Sequence, residues 1–196
     1  EIYYQLIYDG IEFTSIASLG DEVKERTLLV NGVSKSYAMT GWRVGYCAAN
    51  KTLAKIMSNF LSHSTGAPST ISQWASVEAL TGPQEGIEHM RRAFEERRNY
   101  IVSRINSIAG VSCIEPDGAF YVMMNIEKLL GKTVGGRIIE NDDDFATVLL
   151  QKSLVAVVPC SGFGIKNFVR WSYAASMEDI KLGLDRLEAL LSEIEL

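Results

Sequence analysis

The stretch Asn31-Gly32-Val33-Ser34-Lys35-Ser36-Tyr37-Ala38-Met39-Thr40-Gly41-Trp42-Arg43-Val44-Gly45-Tyr46 decides how this sequence is read. An apolar run, Thr27-Leu28-Leu29-Val30, leads into it, and a second, Val44-Gly45-Tyr46-Cys47-Ala48-Ala49, leads out. Short continuous apolar runs beside turn residues read as strands covered on both faces, the pattern of a parallel sheet. Lys35 then falls in a Gly- and Ser-bearing loop just past one strand, and Arg43 stands at the start of the next. A lysine condenses with an aldehyde once burial or a nearby cation lowers its pKa. A guanidinium can supply that cation and can also clamp a phosphate through two N–H groups. Taken alone, the pair is weak evidence and fits a solvated loop lysine and an ion-paired arginine better.

Downstream, Asn50 caps a helix over about 51–61, with Leu53, Ile56, Met57 and Phe60 on one face. Pro68-Ser69 opens another, carrying Ile71, Trp74, Ala75 and Leu80. Thr81-Gly82-Pro83 breaks the pattern. A long helix follows, with Ile87, Met90, Phe94, Ile101 and Ile105 near helical spacing, and Gly110 ends it. Pro116-Asp117-Gly118 between apolar runs 111–114 and 119–124 signals strand-turn-strand. Residues 127–141, with three glycines, read as a surface excursion. A helix over 143–152 and strands over 154–158 and 168–173 come next. Ser176-Met177-Glu178-Asp179 then makes a capping box for a closing helix bearing Ile180, Leu184, Leu187, Leu191 and Ile194. The fold class is α/β, with a boundary near Gly82-Pro83.

A hydrophobic content of 47% and a charged content of 22% over 196 residues suit a globular chain with a sizeable core. The formal net charge of −5 provides no basic footprint for nucleic acid or a membrane surface. No apolar run is long enough to span a bilayer. Cys47, Cys113 and Cys160 form no CxxC pair, which points to a reducing, cytoplasmic setting. His63 and His89 have no companions at ligand spacing, so no metal site is expected. The opening Glu1-Ile2-Tyr3-Tyr4 reads as the end of a strand, without initiator Met or leader segment, which suggests a fragment.

Ser34-Lys35, then Met39-Thr40-Gly41-Trp42-Arg43 and Gly45-Tyr46, resemble the lysine signature of the fold-type-I, class I/II aminotransferases that use pyridoxal 5′-phosphate, closest to the bacterial aspartate and aromatic branch. The similarity runs from Tyr3 to the closing helix, with the motifs in the family's order. It implies that residues 1–82 end a large, mainly parallel-sheet cofactor domain. Residues 83–196 would form a long linking helix and a small α+β domain. It implies that Lys35 forms the Schiff base and then shuttles the proton between substrate Cα and cofactor C4′. Arg43 would grip the cofactor phosphate, and Tyr3 would hydrogen-bond the ring's phenolic oxygen. Arg170, in Phe168-Val169-Arg170-Trp171-Ser172, would bind the substrate α-carboxylate fork to fork. Pro116 to Tyr121 resembles the family's strand near the substrate, where core and contact roles stay open. Pro159-Cys160-Ser161-Gly162-Phe163-Gly164 resembles its Pro-Gly-x-x-Phe-Gly turn. His63 lies in a stretch resembling one near the family's subunit interface.

Gly32 departs from the pattern, because the family often has a phosphate-binding serine there. The acid paired with the pyridine nitrogen, the phosphate-cradling helix, the stacking aromatic and an asparagine near the phenolic oxygen would all precede Glu1. The expected activity of the parent is therefore amino transfer between an amino acid and a 2-oxo acid, by a homodimer, with the fragment inactive alone. A C–S lyase relative and a non-catalytic truncated module are the alternatives.

Overall fold

A computed structural model describes residues 1–192 and 194. The chain divides into two compact units, Glu1–Arg91 and Arg92–Leu196.

In the first unit, β1 (Leu29–Gly32) pairs with β2 (Gly45–Ala48) in a two-stranded antiparallel ribbon, Gly32 facing Gly45. The chain is α/β, but no parallel pairing is seen among the described residues, where every ladder is antiparallel. The physical reason is the connection. A parallel pair needs a crossover, usually helical, whereas residues 33–44 hold a turn around Lys35 and the 3-10 turn Thr40–Trp42 and lead straight back. The strands are not covered on both faces either: all of β2 is exposed, and Val30 is 59% exposed. Glu1 to Gln5 forms turns rather than a strand end, with the Tyr4 N–H donating to the Glu1 carbonyl at 3.1 Å and the Leu6 N–H to that of Tyr3 at 2.8 Å.

The short helix α1 (Asp21–Glu25) precedes β1. Asn50 caps α2 (Lys51–Ser64), accepting from the Leu53 N–H at 2.9 Å. α3 (Thr70–Thr81) follows. The periodicity located both helices, but their apolar faces are not packed: Phe60, Ile71 and Trp74 are 71%, 74% and 70% exposed, while α3 buries Ser72 and Ser76.

Gly82 and Pro83 separate α3 from α4 (Glu85–Ser107), and the division between the units falls within α4. The second unit is built on a four-stranded antiparallel sheet, order β3 (Ser112–Cys113), β4 (Tyr121–Asn125), β8 (Phe168–Ser172), β7 (Val158–Pro159). Alternate residues Val122 and Met124 of β4, and Val169 and Trp171 of β8, are buried, as the period of two requires. Ile101 and Ile105 of α4, Phe145 and Leu149 of α5 (Asp142–Ser153), and Leu184 and Leu187 of α6 (Met177–Leu191) complete the core. Ser176 caps α6 as expected, its Oγ accepting from the Asp179 N–H at 3.0 Å. Ile194 lies beyond that helix and is half-buried. The segment 127–141 is more than a surface excursion. It contains the hairpin β5 (Thr133–Val134) and β6 (Arg137–Ile138), and it buries Leu129, Val134 and Ile139 completely. Among the described residues no helix is long and apolar enough to cross a membrane.

Candidate active site

Lys35 stands in the turn that follows β1. Its carbonyl accepts from the Ala38 N–H at 3.1 Å, and the Met39 N–H reaches back to the Val33 carbonyl at 3.3 Å. Val33, fully buried, donates its N–H to the Val44 carbonyl and closes the loop at its base. Ala38 and Arg43 have positive φ (53° and 55°), a conformation that costs non-glycine residues of order 1 kcal/mol each. The half-buried Lys35 places its Nζ 5.9 Å from the centroid of the Tyr3 ring. The structure thus brings together two of the residues singled out in the sequence.

Arg43 lies at the other end of the same loop, exposed, with one Nη donating to the Thr40 carbonyl at 2.8 Å. It lines a recess of about 220 Å³ with Ser34, Asn31, Gly32, Gly45, Val44 and Ile2. Beside Lys35, the Ser36 hydroxyl is completely buried, and no hydrogen-bond partner for it is found among the described residues. Tyr4, adjacent to Tyr3, has its phenol pKa pushed up to about 12. Burial is the largest cause, followed by Tyr37, Tyr46 and the Glu1 carboxylate.

The recess tests whether a phosphorylated aldehyde suits these residues. It has one guanidinium with donors to spare, a serine hydroxyl, and a wall made of two glycines. A Cβ at Gly32 would stand 3.0 Å from the Val44 oxygen and 3.3 Å from Ile2 Cδ1, both part of that wall. The donor set suits a phosphate, and Lys35 carries a primary amine in the same loop.

Arg170 belongs to the second unit, in the middle of the sheet, opposite Met123 of β4 and Val158 of β7. Its guanidinium carbon lies 4.4 Å from the Tyr121 ring centroid and 4.8 Å from that of Phe163. Among the described residues no carboxylate pairs with this half-buried guanidinium, and two aromatic rings lie against it. The sequence did not single out Phe163 for this position, nor Asp142. Asp142 is 2% exposed and accepts the Ser161 N–H at 2.7 Å. Burial, the largest influence on the Asp142 carboxyl, raises its pKa, but the N–H and hydroxyl donors around Ser161 together outweigh it and leave the pKa lowered. Cys160 is buried between these groups, and burial pushes its thiol pKa up.

A profile of the family described as Aminotransferase class I and II matches residues 1–187. The chain belongs to this family. It is 43% identical over 191 residues to an aspartate aminotransferase of Geobacillus stearothermophilus, covering 97% of this chain and 48% of that protein. With an aspartate aminotransferase of Rhizobium meliloti strain 1021 the identity is 45% over 190 residues, covering 96% and 46%. A solved aspartate aminotransferase from Rhizobium meliloti superposes with a TM-score of 0.94 at 44% identity, over 99% of this chain and 49% of that one. An aromatic aminotransferase from Pyrococcus horikoshii gives 0.88 at 36% identity, over 98% and 49%. The chain therefore spans about half the length of the curated relatives it matches.

Proposed function

We propose that these residues serve a pyridoxal-5′-phosphate-dependent amino transfer between an amino acid and a 2-oxo acid, aspartate or an aromatic amino acid being the donor class. The observation that carries the reading is the lysine loop: an amine at Lys35 beside the Tyr3 ring, and a guanidinium at Arg43 facing a glycine-walled recess. The cofactor would supply an electron sink for the carbanion at the substrate Cα. Arg43 and Ser34 hold the phosphate, and the Tyr3 hydroxyl hydrogen-bonds the phenolic oxygen. Lys35 takes the proton from the substrate Cα and returns it. Arg170 binds the α-carboxylate bidentately. The parent protein acts as a homodimer with the soluble substrates an aminotransferase takes, and the two units correspond to a cofactor-binding part and a substrate-binding part.

The test uses the full-length protein. Borohydride reduction after incubation with pyridoxal phosphate, then peptide mapping, should label Lys35, and Lys35→Ala should lose the label and glutamate production from 2-oxoglutarate together. A label on another lysine overturns the assignment. Pyruvate and ammonia released from a sulfur amino acid, without amino transfer, would favour the lyase alternative.

A further inference from the structure

The Pro159–Gly164 turn lies against Arg170 and is tied down from below. Asp142, at the first position of α5, receives the Ser161 N–H at 2.7 Å from its nearly inaccessible place. That bond fixes the start of the 3-10 turn Ser161–Phe163. Gly164 closes the turn with a φ of 82°, its N–H donating to the Ser161 carbonyl at 2.9 Å, so both ends of the segment bearing Phe163 are pinned. Phe163 in turn covers one side of the guanidinium and Tyr121 contacts it too. A guanidinium resting against aromatic rings can keep its plane while its N–H edge stays open to a carboxylate.

We propose that Asp142 is a positioning residue for substrate recognition, acting through Ser161 and Phe163 to hold the Arg170 guanidinium in the plane that accepts an α-carboxylate. This rests on the reading of Arg170 as the carboxylate receptor. Losing the acceptor at Asp142 frees the turn and lets Phe163 leave the guanidinium. The arginine must then be ordered when substrate binds, a cost paid in affinity. One guanidinium–ring contact converts to about two- to thirtyfold in affinity.

The experiment compares Asp142→Ala, Asp142→Asn, Phe163→Leu and Arg170→Ala in the full-length protein. The dissociation constant of the unreactive dicarboxylate maleate is measured, alongside KM and kcat for the amino and oxo acids. Asp142→Ala and Phe163→Leu should weaken maleate and raise KM by about two- to thirtyfold, with kcat changed much less. Asp142→Asn keeps an acceptor oxygen and should recover most of the loss. Arg170→Ala should exceed all of them. If Arg170→Ala weakens maleate while Phe163→Leu does not, the positioning role is overturned and the receptor stands. If Arg170→Ala leaves maleate unaffected, the receptor reading itself fails. A uniform loss in both Asp142 variants, with kcat falling as far as affinity, would mean that the carboxylate merely stabilises the fold. Phe163, on the surface, tests the same contact without a folding cost.

Discussion

Placing a side chain at Gly32 tests how the lysine loop is anchored. Gly32 and Gly45 face each other in the β1–β2 ladder, so the strands meet where neither has a Cβ. A Cβ at position 32 would stand 3.0 Å from the Val44 carbonyl oxygen and 3.3 Å from both Gly45 Cα and Ile2 Cδ1. The first two are backbone atoms and cannot rotate away, so β2 must move by a few tenths of an ångström. Gly32 has no left-handed φ, and the cost is therefore contact and not backbone strain. Overpacking typically costs about 1–3 kcal/mol. The shift required is only a few tenths of an ångström, which puts Gly32→Ala near the low end, about 1 kcal/mol. In a domain of 150 to 250 residues that corresponds to a fall in Tm of roughly 2–4 °C, and in a smaller unit to somewhat more. Arg43 lies two residues before β2, so the same shift should displace its guanidinium and weaken phosphate binding by on the order of 1 kcal/mol, roughly fivefold. Gly32→Ser puts back the hydroxyl common in the family, and its difference from Gly32→Ala isolates what that hydroxyl adds. Thermal denaturation without cofactor and equilibrium titration with pyridoxal phosphate, both on full-length protein, measure the two effects. Wild-type melting and wild-type affinity in Gly32→Ala would refute the idea that the glycine pair sets the strand spacing.

Ser176→Ala removes the acceptor for the Asp179 N–H and the Ser176 donation to Asp179 Oδ2 at 2.8 Å; denaturant melts should show a loss of about 1 kcal/mol. Tyr4 gives a pH dependence of known sign. Its folded pKa, about 12, is above the ordinary tyrosine value near 10, so the neutral phenol is favoured in the fold. The stability it contributes is present below about pH 10 and disappears as pH rises through about 12. Tyr4→Phe should flatten that part of the alkaline stability profile, and an unchanged slope would count against the burial of this phenol.

The parts of the molecule that depend on local chemistry were legible in the sequence. Asn50 and Ser176 have short oxygen-bearing side chains that can satisfy the N–H groups a helix start leaves open, and both do. What depends on distant packing was not legible. The run Thr27-Leu28-Leu29-Val30 says that these side chains are apolar, but strand direction is set by the connection, and the short loop to β2 allows only the antiparallel return. Ile71 and Trp74 follow helical periodicity, yet periodicity identifies an apolar face without identifying what covers it, and here they are exposed. The glycines of 127–141 suggested a loop, although Gly131, Gly135 and Gly136, all at positive φ, allow sharp turns that send Leu129, Val134 and Ile139 inward. At the site, Lys35, Arg43, Tyr3 and Arg170 were carried by motif. Phe163 stands in the Pro159–Gly164 turn without a role and Asp142 in no motif at all, and only the fold brings Phe163 onto Arg170 and Asp142 onto the Ser161 N–H.

The lysine loop of the first unit and the Arg170 strand of the second are anchored differently, in keeping with the work proposed for each. A lysine that moves a proton must travel, and its flexible four-carbon stem suits it to that. Lys35 is accordingly placed in a turn, and the loop spends its conformational energy on Ala38 and Arg43, which adopt left-handed φ while the Val33–Val44 bond holds the base closed. Such strain persists only where surrounding contacts over-determine the backbone, and the paired Gly32 and Gly45 lie at the base of this loop. An arginine that receives a carboxylate must instead keep still, since bidentate pairing requires the guanidinium plane to be set in advance. Arg170 is accordingly placed mid-strand, between two hydrogen-bonded neighbours, with Val169 and Trp171 buried on the opposite face and aromatic rings on its own. Damage to the lysine loop should therefore appear first in cofactor affinity and kcat, whereas damage around Arg170 should appear first in KM.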